Sequence, residues 1–419
     1  MKSLSLKKLT PWRLALGLIC AVAAQSSFAE KSAMQEYVEA MQPGWNLGNS
    51  LDASGSETAW GNPPATEELI QQIAAQGFKS IRIPVTWDTG NRLGPAPDYA
   101  IDPAFMDRVQ EVVDWSLDAG LYVMLNLHHD SSWVSEMPTQ HDAVLAKFNA
   151  LWSQIAPRFR DHSPRLHFES INEPEFHGAD DATKIALLHD LNTSFFHIVR
   201  NTGGGNVTRP LVLPTVVTNN GQIFLDALKD TIIGLNDPNL IATVHDYGYW
   251  PFSVNISGVT KFEGVAEDWT KEGIDRVYDT LVSQGIPVIV GEYGLLSFGG
   301  FGGAIQRGEV IKYFEFLTSY YQSKGMTHQW WDAGAFFDRH THQWKTLELY
   351  GYIMQSVVGR SSTAESDLIF LRDGTTLQDV VVDLNLNGNT FVGLEDGGTP
   401  LAMGSDYMID GSELTIKAS

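Results

Sequence analysis

One cysteine, Cys20, stands among 419 residues, and it falls in a segment that reads as a leader. Lys2, Lys7, Lys8 and Arg13 form a positive head, Leu14 to Ala24 an apolar run, and Ser27-Phe28-Ala29 a small-x-small cleavage site. Leu18 and Ile19, just before the cysteine, are too large for a lipid-attachment signal. Residues 1–29 are therefore expected to be a signal peptide. The apolar run is too short to span a membrane as a helix. Beyond the leader the chain holds no thiol, which excludes disulfides, thiolate nucleophiles and cysteine-ligated metals. A secreted protein is expected, extracellular or periplasmic, with no membrane attachment after cleavage.

Positive charge is scarce as well. Lys and Arg number 28 against 50 Asp and Glu, and the net charge of −22 becomes −26 once the four leader cations are removed. Such a surface repels nucleic acid and anionic membranes, and it favours a neutral or polymeric substrate. No G-x-G-x-x-G or P-loop follows a strand, which argues against a doubly wound nucleotide-binding sheet. No G-x-S-x-G elbow is present, which argues against a serine hydrolase. His128 and His129 are adjacent, so on a strand their side chains point to opposite faces and make a poor metal site. Neither metal nor cofactor is expected. Aromatic residues, by contrast, are plentiful: 12 Trp, 13 Tyr and 20 Phe exceed the needs of a plain scaffold and leave rings for stacking on a ligand.

Apolar strand-like segments begin near Gly44, Lys79, Leu121, Leu166, Leu211, Ile241, Pro287 and His328, with room between them for one helix each. Asp102-Pro103 is an N-cap followed by proline at the first helical position; Phe105, Met106, Val109, Val112, Val113 and Leu117 then share a face, and Gly120 closes the helix. Thr66 to Gly77 repeats the scheme. Further helices are expected over 141–159, 181–200, 264–285, 304–325 and 346–359, with a short, weaker one at 221–229. Eight strands alternating with helices predict a (β/α)₈ barrel over residues 30–360. The segment 361–366 reads as a linker. From 367 to 419 short runs alternate with Asn387-Gly388, Asp396-Gly397-Gly398 and Asp410-Gly411, the pattern of an antiparallel β module. It is shorter than the ~100 residues of an immunoglobulin-like sandwich, so an incomplete sandwich is expected.

Two glutamates stand at strand tips. Glu173 follows Leu166 to Asn172 and precedes Pro174; Glu292 follows Pro287 to Gly291 and precedes Tyr293-Gly294. In a parallel barrel the C-terminal tips are where active sites assemble. Two carboxylates facing each other there can cleave a glycosidic bond. A single glutamate in such a place reads better as a helix cap or a solvated charge, but other strand tips carry fitting groups. Arg82 alternates inward with Ser80 and needs a carboxylate partner, for which Glu292 is suited. His128 ends the third strand. Asn172 suits a hydrogen bond to a sugar 2-hydroxyl. His245 and Tyr247 share one face of the sixth strand, and Trp331 ends the eighth.

The ordered motifs Gly44-Trp45-Asn46-Leu47-Gly48-Asn49, Thr58-Ala59-Trp60-Gly61-Asn62-Pro63, Ile81-Arg82-Ile83-Pro84-Val85-Thr86-Trp87, Leu125-Asn126-Leu127-His128-His129, Asn172-Glu173-Pro174, His245-x-Tyr247, Gly291-Glu292-Tyr293-Gly294 and Trp330-Trp331-Asp332 resemble those of clan-A glycoside hydrolases, specifically the family-5 cellulases. The resemblance implies a retaining endo-β-1,4-glucanase with Glu173 as acid/base and Glu292 as nucleophile. It implies a substrate-binding shell of Asn46, Arg82, His128, Asn172, His245, Tyr247 and Trp331, and a partial Ig-like X2-type module in the tail. The acid role calls for a Glu173 carboxyl whose pKa the Glu292 charge holds up. Xyloglucanase and β-mannanase are the alternatives within the fold, and a non-catalytic carbohydrate-binding barrel is the alternative outside it. A monomer acting on a β-1,4-glucan is expected. One departure stands out: Asp246 occupies a position where an aromatic is expected, and it is read as altering a subsite wall.

Overall fold

A computed structural model describes residues 31–255, 257–296, 305–366, 368–370, 372, 374 and 376–418. The expected leader, 1–29, lies outside the described residues. Eight parallel strands close into a barrel: β1 (Gly44–Asn46), β2 (Ser80–Ile83), β3 (Tyr122–Asn126), β4 (Leu166–Glu169), β5 (Leu211–Pro214), β6 (Leu240–Asp246), β7 (Val288–Tyr293) and β8 (Thr327–Trp330). Closure comes from β1, which pairs with both β2 and β8. The strands are short and almost wholly buried because helices cover their outer faces and side-chain layers fill the interior.

Several helices begin where the sequence supplies caps. Thr66, Asp102 and Asp180 each accept a backbone N–H of the first turn through the side chain. The helix expected at 221–229 is longer, Gln222–Leu235, and stops at Asn236 in a left-handed C-cap. Gly234 is passed through, so the stop signal was an asparagine rather than a glycine. A helix not foreseen, Ala33–Glu39, carries a capping box at Ser32 and sets Met34 and Val38, with Met41, against Met124, Val212, Ile241 and Ile289. That plug seals the barrel end opposite the strand tips.

After β8 comes a small hairpin, β9 (Phe337–Asp338) with β10 (Gln343–Trp344). The expected linker gives way at its centre. Thr363–Ala364 is a strand, β11, paired with Leu384 and Asn385 of β12 (Val380–Asn385), so the β module starts there rather than at 367. A hairpin of β13 (Glu395–Asp396) and β14 (Thr399–Pro400) precedes β15 (Tyr407–Asp410) and β16 (Glu413–Ile416), and the main sheet runs β11-β12-β16-β15. One face buries Val382, Leu414 and Tyr407, while Val381 and Met408 are exposed on the other. Arg360 and the Ser361 amide both bond Glu315 of helix Arg307–Ser323, fixing the junction to the barrel. Among the described residues no helix is long and apolar enough to cross a membrane.

Candidate active site

The pairing of β6 with β7 is irregular at the tip: Val244 faces Val290 but His245 faces Glu292, which leaves Gly291 as an inserted residue. Such a bulge re-aims the following side chain, and here it turns Glu292 into the barrel mouth. Glycine relieves crowding at the insertion, since a Cβ would sit 3.0 Å from Thr243 Oγ1 and 3.1 Å from His245 Nε2.

Both oxygens of Glu292 are held. Arg82 Nη1 donates to Oε1 at 2.7 Å and the Tyr247 hydroxyl donates to Oε2 at 2.7 Å. His245 Nδ1 is 3.6 Å from Oε2, and His128 Nε2 is 4.0 Å from Oε1. Burial and then the Glu292 charge push the Tyr247 phenol well above its ordinary pKa, so it stays a donor. Burial, reinforced by Arg82, pushes His128 well below 6.5 and keeps it neutral. Its Nδ1 accepts from the Asn126 amide at 3.2 Å, which leaves the proton on Nε2, toward Glu292.

Arg82 is fully buried. Its Nε donates to Glu169 Oε2 at 2.9 Å, Nη1 to Asn46 Oδ1 at 3.1 Å as well as to Glu292, and Nη2 to Asn172 Oδ1 at 2.7 Å. Burial opposes its charge, but Glu169 and Glu292 outweigh that and raise its pKa above the usual value. Asn46 donates to the Gly291 and Gln329 carbonyls at 3.0 Å each and is itself fully buried. Asn46 and Arg82, expected to bind substrate, thus bond to protein and brace Glu292 from beneath. Asn172 differs. With Oδ1 committed to Arg82 its amide cannot flip, and Nδ2 is presented as a donor on the other side.

Glu173 sits at φ 39°, with its side chain 39% exposed. Its Oε1 lies 2.8 Å from His245 Nδ1. One donor atom each of Glu173, His245 and Glu292 falls within 4.8 Å of the others. Burial would raise the Glu173 pKa, but the imidazole bonded to it prevails and lowers it below 4.5. Burial likewise opposes charge on His245, yet Glu292 and Glu173 raise it above 6.5. The expected upward displacement of Glu173 is therefore not found, because the nearest charge is the His245 cation rather than the Glu292 anion. The two groups are bonded to each other, and their titrations are displaced in opposite directions.

Trp331 stacks on His128, with ring centroids 5.6 Å apart and planes 8° from parallel. It packs on Gly48, where a Cβ would be 2.9 Å from the indole. Exposed Trp60 stands on the loop after β1, and exposed Trp250 opens a one-turn helix, Trp250–Ser253, after β6.

A family model described as cellulase (glycosyl hydrolase family 5) matches residues 46–337. The chain belongs to glycosyl hydrolase family 5. Residues 363–419 match the model of carbohydrate binding domain X2. Endoglucanase B of Paenibacillus lautus is 52% identical over 426 residues, covering 100% of this chain and 75% of that protein. The full-length tri-modular endo-β-1,4-glucanase B of Bacillus halodurans superposes with a TM-score of 0.89 at 51% identity, over 93% of this chain and 73% of that one. A family 5 xyloglucanase from Paenibacillus pabuli has a TM-score of 0.69 at 31% identity, over 77% and 99%.

In this glycoside hydrolase, Asp246 does not wall a subsite. Its carboxylate accepts from the Gly248 amide at 2.8 Å and the Tyr321 hydroxyl at 2.7 Å, on the side of β6 facing helix Arg307–Ser323. Alternation with His245 and Tyr247 puts it there. Tyr313 of the same helix donates to the Gly294 carbonyl at 3.0 Å, so one helix braces the tips of both β6 and β7. His128 and His129 do not point to opposite faces, because β3 ends at Asn126 and the two rings approach to 4.5 Å. With Asp52 they bring three donors within 4.8 Å, and so do Glu173, His245 and Glu292. Asp52, however, spends both oxygens on the Asn49 and Ser50 amides, and each member of the other set is hydrogen-bonded within the protein. Glu169 was not foreseen. The available signal was a charged residue inside a buried strand, opposite an arginine with more donors than one carboxylate can take.

Proposed function

We propose that this family-5 enzyme is a secreted endo-β-1,4-glucanase that acts by double displacement with retention. The observation that carries the mechanism is the approach of Glu173, His245 and Glu292 within 4.8 Å. Retaining enzymes keep their carboxyls roughly 5–5.5 Å apart, whereas inverting enzymes need roughly 6.5–9.5 Å to admit a water. Glu292, its oxygens oriented by Arg82 and Tyr247, attacks the anomeric carbon. The proton shared by Glu173 and His245 passes to the departing glycosidic oxygen as that bond breaks. Substrate binding expels water and disfavours the charged pair, which moves the proton from imidazole to carboxyl. In the second step Glu173 takes a proton from water, the water oxygen bonds the anomeric carbon, and Glu292 leaves. Asn172 donates Nδ2 to the 2-hydroxyl, and Trp331 stacks under the sugar.

The leader-like residues 1–29 support export, and the charge of −22 supports a neutral polysaccharide. Soluble β-1,4-glucans should lose viscosity quickly with little reducing sugar released, and proton NMR should show the β-anomer first. An α-anomer as first product would overturn retention. The likeness to a xyloglucanase favours xyloglucan as a second good substrate, tested beside carboxymethylcellulose, mixed-linkage glucan and mannan. Preference for mannan over every glucan would reject the substrate assignment.

The shared proton predicts a pH effect. His245 titrates above its ordinary value and Glu173 below, so the basic limb of kcat/KM reports deprotonation of the imidazolium side of the pair. In His245→Asn the carboxyl alone carries the proton. The basic limb should move to lower pH and the optimum should become more acid. A basic limb left in place would mean that the catalytic proton does not come from this pair.

A further inference from the structure

The loop after β5 contains two consecutive β-branched residues in the left-handed region, Val217 at φ 53° and Thr218 at φ 50°. L-residues avoid this conformation, and β-branched ones most of all. Burial does not force it on Val217, which is 40% exposed. The residues on either side, Val216 and Thr218, are seated in the interior. The turn is tied on itself by Thr218 N–H to the Thr215 carbonyl at 2.9 Å, Asn219 N–H to the Val216 carbonyl at 3.0 Å, and the Thr215 hydroxyl to the Asn219 carbonyl at 2.8 Å. It leaves the Val217 amide to reach outward, and that amide donates to the Pro174 carbonyl at 2.9 Å.

Pro174 directly follows Glu173, which is also left-handed at φ 39°. Proline has no N–H, so its carbonyl is the one backbone group that Pro174 itself offers to a neighbouring loop. A carboxyl that must first give and then take a proton has to be held to within a fraction of an ångström. His245 holds the carboxyl end of Glu173; its backbone is tied on one side by the Asn172 N–H, which donates to the Leu127 carbonyl at 2.8 Å, and on the other by the Pro174 carbonyl that Val217 grips.

We infer that the strained Val217–Thr218 turn is a clamp on the backbone of the acid/base, with Val217 as a positioning residue that acts through its amide. Strain held at a site by buried neighbours is the pattern expected when the conformation serves placement rather than stability. The inference rests on the proposed role of Glu173.

Val217→Pro removes the N–H and forbids positive φ. It should lower kcat/KM on a cello-oligosaccharide by roughly tenfold or more. On 2,4-dinitrophenyl β-cellobioside, whose leaving group needs little protonation, kcat/KM should hold within about twofold. Val217→Gly keeps the amide and adopts left-handed φ freely, so both kcat/KM values should be unchanged and Tm should rise by about 1–3 °C. In the unaltered protein, hydrogen exchange at the Val217 amide should be slow despite the exposed side chain, and this measurement stands even if the proline variant fails to fold. Equal losses on both substrates, no loss on either, or free exchange of that amide would each overturn the clamp. Glu173→Ala, assayed on the same two substrates, distinguishes failure of the clamp from failure of the acid/base role. If it too lacks leaving-group dependence, the role of Glu173 fails; if it alone shows the dependence, only the clamp does.

Discussion

Glu292→Ala is expected to lower kcat on cello-oligosaccharides by roughly four to six orders of magnitude, because no other group can form the covalent intermediate. His128 and His245 approach its oxygens but are not placed to replace them, and Tyr247 is a donor whose phenol is held protonated. The fold should survive, since Arg82 keeps Glu169 as its ion partner. Glu173→Ala should behave differently. It removes the proton donor, worth roughly 10²–10⁴ in rate for poor leaving groups, but leaves the nucleophile intact. An activated aryl cellobioside should still form the glycosyl-enzyme, and azide should then accelerate turnover by attacking in place of the water that Glu173 no longer deprotonates. If azide rescued Glu292→Ala instead, the two roles would have to be exchanged.

The barrel was legible because most strands are short apolar runs, and because Thr66, Asp102 and Asp180 each cap a helix in front of an apolar stripe. Glu173 and Glu292 stood out because each follows an apolar run, although a charge at such an end can also face outward, as Asp246 does at the end of β6. What could not be read was packing that depends on a third partner. Nothing in Ala33–Glu39 announces a plug, because the surface it covers comes from four separate strands. Glu169 lay inside a run that reads as apolar, and only the donor count of Arg82 pointed to it. Asp246 was placed wrongly although alternation with His245 and Tyr247 already assigned it to the opposite face. The Gly291 bulge shows the limit of alternation from the other side. A strict period of two would send His245 and Glu292 to positions that do not pair, and one inserted residue brings them together. The linker failed for a related reason: Thr363–Ala364 is only two residues long and becomes a strand through Leu384 and Asn385, some twenty residues away.

Arg82→Met should cost both stability and activity, and the two losses should be separable. The guanidinium lies between two carboxylates and also bonds Asn46 and Asn172. Glu169 is fully buried, and without Arg82 its remaining named donor is the Asn126 amide at 2.8 Å. Removing one partner of a buried pair leaves an uncompensated charge and costs roughly 3–5 kcal/mol. Urea denaturation should report a loss of that size. Glu169→Gln in the same background removes the stranded charge while keeping the shape, so the double variant Arg82→Met/Glu169→Gln should regain much of the stability. It should not regain activity. Glu292 would still lack the cation that orients Oε1, and Asn172 would lose the donor that fixes its amide toward the 2-hydroxyl. A double-mutant cycle with large coupling in stability and little in kcat/KM is therefore expected. Recovery of kcat/KM together with stability would mean that Arg82 serves only to neutralise Glu169. The bonds from Arg82 to Glu292 and Asn172 would then be incidental to catalysis, and the two carboxylates on its fork would have to be assigned separate functions.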